Sequence, residues 1–91
     1  MEVTLNNSGK KTTFRNNCIS FSISKSEIVK EPSYHFQFKI ELDDLDEKLR
    51  RVFDEKELHE VMLFPPMAGS GICGVFIPQK LLTRLDILND A

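Results

Sequence analysis

Tryptophan is absent and tyrosine occurs once, so phenylalanine, with seven copies, supplies nearly all the aromatic surface. Phe has no polar handle, and most of these rings are expected in the core rather than on a binding surface. Long apolar runs are missing too. No stretch approaches the roughly 20 apolar residues of a membrane span, and the opening Met1–Lys11 lacks an apolar run of signal-peptide length. These absences predict a soluble, cytoplasmic protein with no membrane partner. Cysteine is confined to Cys18 and Cys73, far apart and outside any C-x-x-C. Secreted domains of this size usually carry more bridges, so two free buried thiols in a reducing compartment are expected rather than a disulfide. Histidine is limited to His35 and His59. Position 63 is Leu, so His59-Glu60 cannot open an H-E-x-x-H site, and no metal or other cofactor is expected.

The chain is short enough for one domain, spanning residues 1–91, with a stability on the order of 5 kcal/mol. A hydrophobic share of 41% against 29% charged residues places it with folded proteins rather than disordered tails. The net charge of -2 selects no partner, but the charge is unevenly spread. Residues 1–40 hold six Lys/Arg and three Asp/Glu, and residues 41–60 hold four and nine. A mildly basic start therefore precedes an acidic middle, a separation that can steer association.

The first half reads as strands. Val3 and Leu5 alternate with polar neighbours up to a turn at Asn7-Ser8-Gly9, and residues 11–15 can return as a hairpin. Asn16-Asn17 gives a second turn. Ile19, Phe21 and Ile23 then share one face and Ser20, Ser22 and Ser24 the other. That serine-lined segment leaves room for strand pairing with a partner or a second copy, so a homodimer is one expectation. After Pro32, Tyr34, Phe36, Phe38, Ile40 and Leu42 alternate with His35, Gln37, Lys39 and Glu41, the pattern of an antiparallel sheet with one wet side. Leu45, Leu49, Val52 and Phe53 switch to helical spacing, with Asp43 or Asp44 as cap. Leu58, Val61 and Met62 fall on the opposite side of that helix, which predicts a break near Asp54. Asp54-x-x-Glu57 reads as a capping box that restarts a short helix. Pro65-Pro66 stops an apolar Met62-Leu63-Phe64, residues 72–77 are strand-like, and Pro78 opens an expected final helix with Leu81, Leu82, Leu85 and Leu88 buried. The predicted fold is α+β: a mainly antiparallel sheet of four to five strands with two principal helices packed on one face.

Candidate chemistry is thin. Gly69-Ser70-Gly71-Ile72-Cys73-Gly74 matches G-x-G-x-x-G by letter, but prolines precede it and a strand follows, so a turn or a close backbone crossing is the expected reading. A small enzyme or subunit using this loop is one alternative. Another is that the loop, with Phe64 and Met67, forms a lip for a partner. Ser70 is not in a nucleophile elbow. Cys73 with His35 or His59 can be drawn as a thiol and base, though no spacing favours it. The basic residues Lys10, Lys11, Arg15, Lys25, Lys30 and Lys39 suggest a second alternative, a small dimeric nucleic-acid-binding regulator. Sheet-based readers interleave aromatics on the exposed face, whereas here the alternation puts aromatics with aliphatics and Lys opposite them.

One local resemblance is present. Val75-Phe76-Ile77-Pro78-Gln79-Lys80-Leu81-Leu82-Thr83-Arg84-Leu85-Asp86-Ile87 resembles the strand, Ile-Pro and short helix of AbrB-type swapped-hairpin transcription factors. That family follows the helix with a glycine and a Gly-Asp turn, and Asp86 stands here where the first glycine would be. The resemblance implies a strand entering a Pro-started helix, and the family's function is not carried over.

The leading expectation is a small non-catalytic protein-binding domain of inhibitor or immunity type. It would cover the functional surface of a protein partner, one with a basic face, using an acidic helical segment. Asp43, Asp44, Asp46, Glu47, Asp54, Glu55 and Glu57 are the expected contacts. The ordinary explanation of the same acids is a solvated helical face with capping residues.

Overall fold

In a computed structural model of the chain, residues 1–25, 31–66 and 68–89 are described. Among these residues, seven strands and two short helices run in the order β1 (Glu2–Asn7), β2 (Lys10–Phe14), β3 (Cys18–Ser24), β4 (Ser33–Lys39), α1 (Leu42–Arg50), α2 (Glu55–Leu58), β5 (Met62–Phe64), β6 (Ile72–Pro78) and β7 (Arg84–Leu88). The strands form two antiparallel sheets, ordered β2-β1-β7 and β3-β4-β6-β5. The architecture is α+β, as the sequence predicts, but with two sheets rather than one. The second principal helix, expected to start at Pro78, is absent: Gln79–Leu81 make a 3₁₀ turn and Arg84–Leu88 a strand, whereas α2 is the short helix expected after Asp54.

The β1–β2 hairpin closes through Ser8 and Gly9, both at positive φ (53° and 91°). Two such residues in a two-residue loop match the right-handed twist of the strands. Gly9 N–H donates to Asn6 Oδ1 at 3.1 Å and holds the turn. The Asn16-Asn17 corner, with Asn16 at φ 57°, redirects the chain into the other sheet instead of continuing the expected meander. Asn17 O accepts from Lys39 N–H at 2.8 Å, and Asn17 Nδ2 donates to Lys39 O at 3.1 Å.

Residues 79–88 differ most from expectation. Gln79–Leu81 make one 3₁₀ turn, and the chain then extends as β7. Pairing decides the conformation. β7 covers the otherwise open side of β1 and sets Leu85 against Leu5 and Ile87 against Val3. Thr83 anchors the entry, its N–H and hydroxyl both donating to Asn6 O at 2.9 and 3.1 Å. Tertiary pairing thus overrides the helical spacing of the leucines.

The two sheets meet through a stack of Phe14 on Phe38, ring centroids 4.2 Å apart. Val3, Leu5, Phe36, Cys73, Val75 and Ile77 surround the stack, and Leu45, Leu49, Val52 and Phe53 complete the core from α1 and the residues after it. A register shift between Cys18 and Ser20 leaves Ile19 as the extra residue of a bulge. Cys18 fills the core, and Ile19 is 49% exposed rather than in line with Phe21. Leu42, expected on the core side of β4, instead begins α1 and is exposed. Both cysteines are free and buried. No helix among the described residues is long and apolar enough to cross a membrane.

Candidate functional site

The acidic segment is built from α1, α2 and the corner between them. Neither Asp43 nor Asp44 is the cap of α1. Glu41 takes that position without a side-chain cap, and the two aspartates lie in the first turn, where they complement the helix dipole. Further along, Arg50 Nε donates to Asp46 Oδ2 at 2.8 Å and Arg51 to Glu47 Oε1 at 3.1 Å. Two of the expected contacts therefore already hold basic partners one turn away. The break at Asp54 is present, and the capping box is complete: Glu57 N–H donates to Asp54 Oδ1 at 2.8 Å and Asp54 N–H to Glu57 Oε1 at 3.1 Å. Glu57 Oε2 also accepts from Asn7 Nδ2 at 3.0 Å, while the same amide donates to Val52 O at 2.8 Å. Asn7 thereby ties the end of β1 to the helix corner.

The acids do not gather as one uncompensated patch. Asp46, Arg50, Glu55 and His59 line a cavity of about 340 Å³ together with the apolar Leu58, Val61 and Leu63. Asp54 and Glu57 serve the fold. Asp43 and Asp44 hold no hydrogen bond or ion pair among the described residues.

The outer face of the four-stranded sheet, expected to be polar, carries an apolar group. In β6, Cys73, Val75 and Ile77 point into the core, so Ile72, Gly74 and Phe76 point away from it. Across the ladder, His35 pairs with Phe76, Gln37 with Gly74, and Lys39 with Ile72. β5 adds Met62 opposite Phe76 and Phe64 opposite Gly74. The His35 ring stacks flat on Phe76, with centroids 4.2 Å apart and planes 5° apart, and Phe64 meets Phe76 edge-on at 5.5 Å. Met62 is 58% exposed and Phe64 46%. Gly74 lies at the floor, where a Cβ would meet Phe64 Cβ at 3.4 Å and His35 Nε2 at 3.9 Å. Its missing side chain opens a cavity of about 420 Å³ lined by His35, Gln37, Phe64, Pro65, Ser70, Ile72, Gly74 and Phe76. The loop after β5 therefore borders this cavity, as the lip reading expects, although Met67 lies outside the described residues.

The alternation of β6 carried the signal. With Cys73, Val75 and Ile77 on the core side, Phe76 faces outward, and the register of β4 against β6 sets it beside His35. The same alternation separates Cys73 from His35 by the thickness of the sheet. Burial pushes the Cys73 thiol above its ordinary pKa, with Glu41 nearby adding to the shift, and Sγ faces Ile40 O at 3.5 Å. A Cys73–His35 nucleophile pair is thereby excluded. No group of three potential metal ligands occurs among the described residues.

The basic residues are split between the sheets. Lys10 and Lys11 begin β2, whereas Lys39 ends β4 and Lys25 follows β3. Arg15 is paired with Glu2 at 3.3 Å, and Lys30 lies outside the described residues. No protein-family model matches the chain, and no curated protein or solved structure matches it either.

Proposed function

We propose that this chain is a non-catalytic binding domain that takes a protein segment on the outer face of its four-stranded sheet. One observation carries the reading: Met62, Phe64, Phe76, Ile72 and Pro65 form an apolar surface around the Gly74 depression, on a sheet face expected to be polar. Exposed, contiguous apolar surface of this kind marks interaction sites. The His35–Phe76 stack is already formed in the single chain, so the receiving surface needs little ordering when a partner side chain enters beside Gly74. Gln37, which holds Ser20 Oγ at 2.8 Å, and the backbone of the bordering loop supply polar edges. A protein suits the surface better than a nucleic acid, because the basic residues are divided between the two sheets and phosphate contact needs several on one face.

A second reading, an inhibitor that meets a basic partner through acidic contacts, is favoured by the uncompensated Asp43 and Asp44. It contracts to those two residues and Glu55, since Asp46 and Glu47 are paired and Asp54 and Glu57 hold the capping box.

Affinity capture from host lysate, with and without nuclease, separates the two readings. The sheet-face reading expects a nuclease-resistant protein partner that is lost with Phe64→Ser and retained with Asp43→Lys/Asp44→Lys. The reverse pattern supports the acidic surface. A partner that disappears with nuclease contradicts both.

A further inference from the structure

Four strands lie at sheet edges: β2, β7, β3 and β5. Three of them carry features that discourage pairing with another chain. β2 begins with Lys10 and Lys11, β7 contains Arg84 and Asp86, and β5 is three residues long. β3 differs. It is seven residues long and has no charged residue between Cys18 and Ser24. No strand among the described residues pairs with its outer side.

Two features delimit the open part of this edge. The bulge sits between Cys18 and Ser20, and the amino group of Met1 donates to Cys18 O at 3.3 Å. The regular, open stretch is therefore Ser20-Phe21-Ser22-Ile23-Ser24. This pattern reads the same in both directions: small polar, large apolar, small polar, large apolar, small polar. A two-fold interface requires a surface complementary to itself, and antiparallel pairing of a strand with its own copy reverses the sequence. Such a pattern is self-complementary about Ser22.

We infer that β3 pairs antiparallel with β3 of a second copy, with Ser22 on the two-fold axis. Phe21 then lies opposite Ile23 of the other copy, and Ser20 lies opposite its Ser24. Ile23, 54% exposed in the single chain, is covered by a neighbour of matching chemistry. The inner aromatic layer, in which Phe21 lies 5.3 Å from Phe36 and 5.7 Å from Tyr34, continues across the junction. The serines meet on the opposite face, where paired hydroxyls are favourable cross-strand neighbours. Charge does not oppose the pairing. This register sets Lys25 opposite Ile19 of the other copy, so the two Lys25 side chains stand about 20 Å apart at the strand rise of about 3.4 Å per residue, beyond the Debye length of about 8 Å. A two-fold axis normal to the sheet turns both outer faces the same way. The dimer therefore presents two Gly74 depressions on one side of a continuous eight-stranded sheet.

Sedimentation equilibrium of the full chain over a wide concentration range, with circular dichroism as folding control, tests the inference. The wild type is expected to be a dimer. Ser22→Lys places like charges directly opposite one another on the axis, and Ile23→Lys places a charge at the apolar contact. Both positions are exposed in the single chain, so the fold is expected to persist while self-association weakens by about tenfold or more. Mild oxidation of Ser22→Cys is expected to give a covalent dimer, and Ser24→Cys, opposite Ser20, is not. A wild type that stays monomeric at high concentration overturns the inference. So does a dimer indifferent to both lysine variants, since it uses another surface. Cross-linking of Ser24→Cys in preference to Ser22→Cys overturns the register.

Discussion

Replacing Glu57 with alanine is predicted to destabilise the protein rather than only to discharge its surface. Glu57 makes two carboxylate contacts, accepting from Asp54 N–H at 3.1 Å and from Asn7 Nδ2 at 3.0 Å. The first belongs to a capping box on a single-turn helix, and losing such a cap costs about 0.5–2 kcal/mol. The second reaches a nearly buried amide, and hydrogen bonds to charged groups contribute about 1.5–3 kcal/mol. That range is reduced here because Glu57 is half-exposed and Asn7 keeps its bond to Val52 O. A combined loss of about 2 kcal/mol follows. Against a stability on the order of 5 kcal/mol, this is a large fraction, and it lowers Tm by about 8–16 °C. Urea unfolding followed by far-ultraviolet circular dichroism measures the change, with the m-value expected to stay constant. A cycle with Asn7→Ala then isolates the contact and is expected to show coupling of about 1 kcal/mol. A Glu57→Ala protein as stable as wild type, or strict additivity with Asn7→Ala, refutes the account of the β1–helix tie.

Three further predictions follow from the packing. Phe14→Ala removes the ring joining the two sheets at 4.2 Å from Phe38 and is expected to cost about 3–5 kcal/mol in denaturant unfolding. Burial raises the pKa of both Cys18 and Cys73. The folded state therefore holds these protons more tightly than the unfolded chain, the stabilising contribution is complete below the ordinary thiol range, and stability falls as pH rises above about 8.5. Replacing both cysteines with serine should flatten that alkaline decline, and thiol-reagent labelling of the wild type should track unfolding. Gly74→Val, which fills the depression against Phe64 and His35, is expected to leave the fold in place by circular dichroism and to abolish partner capture.

Much of the local structure was legible in the residues. The Ser8-Gly9 turn, the alternation of β4, the break at Asp54 and its capping box all rest on contacts within a few positions of one another. What was not legible depends on distant segments. Leu81, Leu82, Leu85 and Leu88 fit a helix until β1 offers an unpaired edge, and that partner lies at the other end of the chain. The division into two sheets turns on Asn16, where a left-handed residue allows either a hairpin or a corner. The bulge that exchanges Cys18 for Ile19 leaves no mark in a period-two pattern. The acidic segment was prominent as sequence because charge is counted without geometry. Its pairs with Arg50 and Arg51 lie one helical turn apart, but the tie from Glu57 to Asn7 joins positions 50 residues apart and emerges only once the helices are placed. The outer-face stack was obscured for the opposite reason, since Phe64, Phe76 and His35 come from three strands and no local run announces them.

The most direct test of the sheet-face account is an isotope-edited NMR titration of the chain with its captured protein partner. The account predicts that the resonances perturbed first belong to His35, Met62, Phe64, Ile72, Gly74 and Phe76, with Asp43, Asp44 and Glu55 unmoved. Perturbation centred on the first turn of α1, with the outer sheet face silent, would contradict it.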